Sequence, residues 1–236
     1  MAERLDKFLA GQLGITRSSA KALAKSGRIT VNSKIVKSAE MKISEAADNV
    51  AVDGNAIIYR KYMYIMLNKP QGVVCSTKDG LSPTVLSLVP SELMREGLFP
   101  AGRLDKDTEG FVLLTDDGGL SHSLLSPKKH VPKLYYARLL RPYSSDYEKR
   151  FSEGLEIDGG EVCLPAEIRA GEGKDDCFVT LHEGKYHQIK RMLAALGNEV
   201  VYLKRLRIGG LDLDQNLPIG ECREISQAEL SILCTI

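Results

Sequence analysis

Apolar residues recur at two different periods along the chain, and the change of period divides it. Leu5, Phe8, Leu9 and Leu13 fall at helical spacing, and Ala20, Leu23 and Ala24 do so again behind a capping hydroxyl at Thr16. GRITVNSKIV then alternates about Asn32 and Ser33, the pattern of two short strands. A turn-rich stretch with Asp48, Asn49, Asp53, Gly54 and Asn55 follows. It places the end of a small first domain (residues 1–60) near Arg60, ahead of a larger second domain (residues 61–236).

Beyond Tyr62 the runs YMYIML, FVLL, LYYARLL, CFVTLH and EVVYL read as strands, and SLLS, DYEKRFSEGL, HQIKRMLAALG and SQAELSILC as helices. Their order does not alternate as repeated βαβ units. The predicted class is therefore α+β, with two helices and short strands in the first domain and a mixed, mainly antiparallel sheet in the second.

Composition adds that the chain buries a core: 43% of its 236 residues are hydrophobic and 27% charged, which excludes disordered, collagen-like and disulfide-scaffold classes. No apolar run approaches the ~20 residues that span a bilayer. The opening MAERLDKFLA mixes charges where a signal peptide would be apolar. Cys75, Cys163, Cys177, Cys222 and Cys234 are scattered without a CxxC pair, as reduced thiols are. A cytoplasmic protein without membrane contact is expected.

Charge is unevenly placed. Residues 1–42 carry nine Lys or Arg against three Asp or Glu, so a basic head precedes a mildly acidic body. Arg17, Lys21 and Lys25 stack at i, i+4 and i+8 on the second helix, beside Arg28 at the start of the hairpin. Such a stripe either displaces counterions from a nucleic-acid backbone or simply faces solvent. In the body, Lys204, Arg205 and Arg207 with Lys128, Lys129 and Lys133 supply further cations that could track RNA.

The sharpest local feature of the body is GRLDKDTEG, Gly102 to Gly110. If extended, it places Arg103, Asp105, Asp107 and Glu109 on a common side; a charged surface loop with a salt bridge or two is the plainer alternative. A carboxylate pair could serve glycoside hydrolysis, but spacing in sequence does not establish the separation that chemistry needs. The chain has one DTEG where an aspartic protease needs two DTG loops. Asp212, Asp214 and Asn216 open like a calcium loop, yet Leu217 replaces its glycine and Arg223 its bidentate Glu. His182 and His187 are five apart across Gly184, which does not fit a zinc helix. GxxxxGK[ST] and GxGxxG are both absent from the sequence. Neither a metal nor another cofactor is expected.

RLDKFLAGQLGITRSSAKALAKSGRITVNSKIV resembles an S4 domain, a small RNA-binding module, and this resemblance favours the RNA reading of Arg4, Arg17, Lys21, Lys25 and Arg28. GRLDKDTEG resembles the signature of the RsuA and RluA superfamily of pseudouridine synthases. The motifs NKPQGVVCS (Asn68 to Ser76), KLYYA (Lys133 to Ala137) and EGKYHQIKRML (Glu183 to Leu193) follow that family's other motifs. YHQIKRM is closer to the subgroup that acts on small-subunit ribosomal RNA than to the large-subunit subgroup.

That resemblance implies a cofactor-free isomerisation of uridine to pseudouridine in small-subunit ribosomal RNA or an assembly intermediate, by a monomer. It makes Asp105 the catalytic carboxylate, able to attack C1′, add to C6 of uracil or assist removal of the C2′ proton. Lys190 would be the cation that keeps Asp105 ionised, the alternative being an exposed lysine on the helix whose Ile189, Met192, Leu193 and Leu196 form the buried face. Tyr135 would stack on the uracil, Tyr136 lying on the other face of its strand. Arg103 would help to extrude the base, unless it is tied to Asp107 or Glu109. Asn68, Lys69 and Ile189 complete the expected substrate pocket, with Pro70 shaping its floor. The rival expectation is a noncatalytic RNA-binding assembly factor built on the same two domains.

Overall fold

The computed structural model describes residues 2–44, 47–126 and 129–233. They form two compact units: residues 1–63 with 89–98, and residues 64–88 with 99–236.

The first unit contains β1 (Ala2–Arg4), α1 (Leu5–Leu13), α2 (Arg17–Lys25), β2 (Ile29–Val31), β3 (Lys34–Ile35), β4 (Lys42–Ser44), β5 (Val50–Val52) and β6 (Asn55–Ala56). The helical period of Leu5, Phe8, Leu9, Ala20 and Ala24 buries these side chains against Ile29, Val31, Ile43 and Val50. Thr16 caps α2 by accepting a hydrogen bond from the Ser19 amide. Asn32 and Ser33 both take positive φ, as the two-residue β2–β3 hairpin requires. The segment 89–98 belongs to this unit because it closes on its backbone. Arg95 Nη1 donates to the Arg60 carbonyl at 2.9 Å, and a Cβ at Gly14 would lie 2.5 Å from the Met94 carbonyl oxygen.

The second unit is built on a nine-stranded sheet. Its elements are β7 (Tyr64–Lys69), β8 (Phe99–Pro100), β9 (Glu109–Thr115), α3 (Gly118–Leu125), β10 (Lys133–Leu139), α4 (Asp146–Glu153), β11 (Glu156–Ile157), β12 (Glu161–Val162), β13 (Glu167–Ala170), β14 (Asp176–Leu181), α5 (Gln188–Ala195), β15 (Val200–Ile208), β16 (Leu211–Asp212), β17 (Cys222–Glu224) and α6 (Gln227–Leu233). The strand order is β13-β14-β10-β15-β9-β7-β17, with β16 on β15 and β8 on β9. Among the described strands of this sheet, β15 and β9 alone pair in parallel, so the sheet is mixed and mainly antiparallel. The uninterrupted apolar runs of β7 and β9 are buried on both faces. β10 and β14 alternate, with one face turned inward.

GRLDKDTEG departs from an extended course. The Thr108 amide bonds to the Asp105 carbonyl at 3.1 Å, closing a turn before β9 begins at Glu109. The two-residue strands β8, β11, β12 and β16 are too short for any period to announce them.

Candidate active site

Asp105 sits in the turn that leads into β9, and two elements far away in sequence close on it. Lys190, in the first turn of α5, places Nζ 3.2 Å from Asp105 Oδ2 and 2.6 Å from Asp107 Oδ1. His187 places Nε2 3.5 Å from Asp105 Oδ1. One ammonium therefore serves two carboxylates. Burial alone would pull the Lys190 pKa down, but its bonds to Asp107 and Asp105 outweigh that and hold it above the ordinary lysine value. Burial pushes the Asp107 carboxyl up, and Lys190 more than offsets it, leaving Asp107 below the usual range.

The turn is held from behind by Lys69, whose side chain is completely buried at the end of β7. Its Nζ donates to the carbonyls of Pro70 (2.9 Å), Asp105 (3.1 Å), Lys106 (3.3 Å) and Thr108 (2.8 Å). Burial lowers its pKa against the pull of the anionic groups around it. Asn68, also buried, donates from Nδ2 to the Leu217 carbonyl at 2.8 Å. Neither Lys69 nor Asn68 lines the cleft in front of the turn.

Gly110 lets β9 approach β15: its φ is +101°, and a Cβ there would stand 2.2 Å from the Arg205 carbonyl oxygen. α5 begins at His187, which takes a left-handed φ of 49° and stacks on Tyr186 with ring centroids 3.8 Å apart. Gln188 braces that entry, accepting from the Lys185 amide (3.0 Å) and donating to Glu183 Oε1 (2.8 Å).

The cleft before Asp105 encloses about 750 Å³. Arg103, Asp105, Tyr135 and Ile189 all line it. Ile189 and Tyr135 are buried at 3% and 9% exposure, and Arg103 is exposed. Among the described residues Arg103 has no ion pair: Asp107 is taken by Lys190, and Glu109 accepts from the Tyr202 hydroxyl at 2.7 Å. Tyr136 points to the opposite face, where its hydroxyl donates to Asp176.

The cations expected to track RNA in the body divide differently from the sequence reading. Lys133 and Arg205 are buried in the cleft wall. Arg207 is paired with Asp212, and Lys128 lies outside the described residues. Alternation would put Arg205 and Arg207 on one face. An irregularity in the β10–β15 register pairs Tyr135 with Arg205 but Leu134 with Arg207, turning Arg205 inward alone. In the first unit Lys21 is paired with Glu40, Arg28 with Asp53, and Arg4 with Asp6 and Glu40. Arg17 and Lys25 are exposed and without an ion pair among the described residues.

The site also contains groups that sequence reasoning passed over. Spacing offers His187 only as a zinc ligand that does not fit, and its contact with Asp105 is created by the left-handed turn, which no spacing rule encodes. Among the described residues no three His, Cys, Asp or Glu side chains are arranged to hold a metal, and no helix is long and apolar enough to cross a membrane.

The family model for RNA pseudouridylate synthase matches residues 63–195, and that for the S4 domain matches residues 3–50. The chain is 46% identical to an uncharacterized RNA pseudouridine synthase of Bacillus subtilis (strain 168), covering 98% of each. It is 42% identical to the ribosomal small subunit pseudouridine synthase A of Escherichia coli (strain K12), covering 97% of this chain and 98% of that one. A crystal structure of a pseudouridylate synthase superposes with a TM-score of 0.69 at 41% identity, over 98% of this chain and 99% of that one.

Proposed function

The chain belongs to the RNA pseudouridylate synthase family, and from that membership we propose that it isomerises one uridine of small-subunit ribosomal RNA to pseudouridine in the bacterial cytoplasm. The observation that carries this reading is Asp105 paired with Lys190 at the back of a cleft large enough for a nucleotide. The small-subunit target is supported by near-full-length similarity to the small subunit enzymes.

Asp105 acts as the catalytic carboxylate. Lys190 sets a positive charge 3.2 Å from its Oδ2 in a partly desolvated site, which offsets the cost of holding a carboxylate there. Three routes are open to a carboxylate so placed: attack at C1′, addition at C6, or help in removing the C2′ proton. All break the N1–C1′ bond and join C5 to C1′ without redox change or net hydrolysis. Tyr135 and Ile189 sandwich the uracil ring. Because a stacked base is out of reach, the uridine is extruded at a cost of a few kcal/mol, and Arg103, which has no carboxylate partner, occupies the space it leaves. Lys69 acts as a positioning residue that holds the turn, and Asn68 ties the end of β7 to the Leu217 carbonyl. The first unit binds RNA through its exposed cations, Arg17 and Lys25 foremost.

The rival, a noncatalytic assembly factor, differs at one atom pair. Asp105→Asn removes the reacting carboxylate and leaves the cleft shape, so turnover is lost while RNA affinity stays within about twofold of wild type. If the variant kept the activity of the wild type, or if wild type bound the RNA without modifying it, the enzyme reading would fail.

A further inference from the structure

Two cations in the cleft wall have no anionic partner among the described residues. Lys133 opens β10, two residues before Tyr135 on the same face, and is 8% exposed. Arg205, the register partner of Tyr135 on β15, is 3% exposed. Among the described residues neither forms a salt bridge. Lys133 Nζ spends one donor on the Val131 carbonyl at 2.8 Å. Arg205 Nε donates to the Phe111 carbonyl at 2.7 Å and Nη1 reaches the Tyr135 hydroxyl at 3.5 Å, while Nη2 is buried with no partner.

Burying an ammonium and a guanidinium together without a carboxylate is unfavourable for folding, and a buried donor left unmade adds to it. A protein retains such a pair where a ligand supplies the missing negative charge. The wall they occupy also carries Tyr135, and both line the cleft. Their depth decides which part of RNA reaches them: a phosphate stays on the ribose backbone near solvent, whereas an extruded base enters the cleft.

We infer that Lys133 and Arg205 form an anion hole for the uracil ring, holding the carbonyl oxygen on which negative charge collects during the reaction. The inference rests on the pseudouridine-forming reading of the site. When N1–C1′ breaks, its electron pair leaves with the base and spreads from N1 onto O2 and O4. If Asp105 adds to C6 instead, the C5–C6 π pair moves through C4 onto O4. In each case a neutral carbonyl becomes anionic; the ring gives that charge up as C5 bonds to C1′ and any bond to Asp105 breaks, after which C5 loses its proton to solvent and N1 takes one up. Donors aimed at an oxygen that is neutral in the ground state and charged in the transition state lower the barrier without tightening substrate binding. Both residues are then catalytic.

The test is single-turnover cleavage of the N1–C1′ bond in target RNA carrying uridine or 5-fluorouridine at the modified position, followed by digestion and mass spectrometry. Fluorine itself stabilises the uracil anion, so it substitutes in part for the protein cations. Lys133→Met is expected to slow the uridine substrate about a hundredfold, the effect of a lost oxyanion donor, and the fluorinated one less than about tenfold. Lys133→Arg should recover most of the uridine rate, and RNA affinity and its salt dependence should not move. Lys133→Met should melt no lower than wild type, because an apolar side chain replaces a buried charge; Lys133→Gln provides the same comparison if the methionine variant does not fold.

Equal losses on the two substrates, or a rate loss that follows a drop in melting temperature, would overturn the inference and make Lys133 a structural residue. A weaker RNA affinity with a salt slope smaller by about one would make the anion a phosphate. Wild type that converts neither RNA would remove the underlying reading as well as this one.

Discussion

Lys190 lies closer to Asp107 than to Asp105, 2.6 Å against 3.2 Å. Asp107 thus fixes the ammonium beside the carboxylate proposed to do the chemistry, while being itself largely exposed at its side chain. Asp107→Asn leaves Asp105 the sole carboxylate on Lys190, so turnover should fall less than about tenfold, whereas Asp105→Asn should abolish it. Single-turnover rates of the two variants check this, and equal losses would mean that Asp107 shares the chemistry.

The parallel pairing of β9 and β15 depends on one missing methyl group. Gly110→Ala introduces a Cβ where the Arg205 carbonyl oxygen stands 2.2 Å away, at a φ of +101°. Strain and clash together should cost on the order of 2–4 kcal/mol. Urea unfolding of the variant should show the midpoint shift, and activity should fall further than stability because the turn carrying Asp105 starts from this contact.

The buried cation of the cleft wall should be visible in the pH dependence of stability. Burial first, and Arg205 second, lower Lys133 from 10.5 to about 8. Its neighbours across the sheet are Leu181 and Ile208, with Arg205 the charge that faces it from β15. The folded protein therefore loses this proton near pH 8 and the unfolded chain near 10.5. Between those values the unfolded chain binds more protons, so this group's contribution to stability rises with pH, by up to about 3 kcal/mol. Lys133→Met removes the effect: its stability advantage over wild type should be largest below pH 8 and shrink towards 10.5. A difference independent of pH would place the ammonium in water.

In the RNA-binding unit the ion pairs sort the cations. Arg17→Ala and Lys25→Ala should each weaken RNA binding and reduce the salt slope by about one, equally for all sequences. Arg4→Ala should act on stability instead, because Asp6 is 2% exposed and Arg4 Nη2 sits 2.8 Å from its Oδ2. Fluorescence titration across a salt series, with thermal melts of each variant, separates the two effects.

Much of this architecture is legible in the sequence, for physical reasons that also explain what is hidden. The apolar runs YMYIML and FVLL advertise β7 and β9, and Ile189, Met192 and Leu193 give α5 its inward face. The convergence of Asp105 and Lys190, 85 positions apart, is invisible to periodicity and was expected only through the resemblance of the motifs. Lys133 and Arg205 look like surface charges because a cation in a strand is ordinarily solvated. Their burial depends on the register irregularity beside Tyr135 and on the closure of β9 against β15, both consequences of long-range pairing.

The most direct test of the central claim is tritium release from ribosomal RNA labelled at uridine C5, since that hydrogen leaves only when C5 takes the glycosidic bond. With the purified protein we predict release from small-subunit RNA or its assembly intermediate, none from large-subunit RNA, and none from either with Asp105→Asn. Release that persists in Asp105→Asn, or its absence from every RNA with wild type, would contradict the assignment of Asp105 as the catalytic residue of a pseudouridine-forming enzyme.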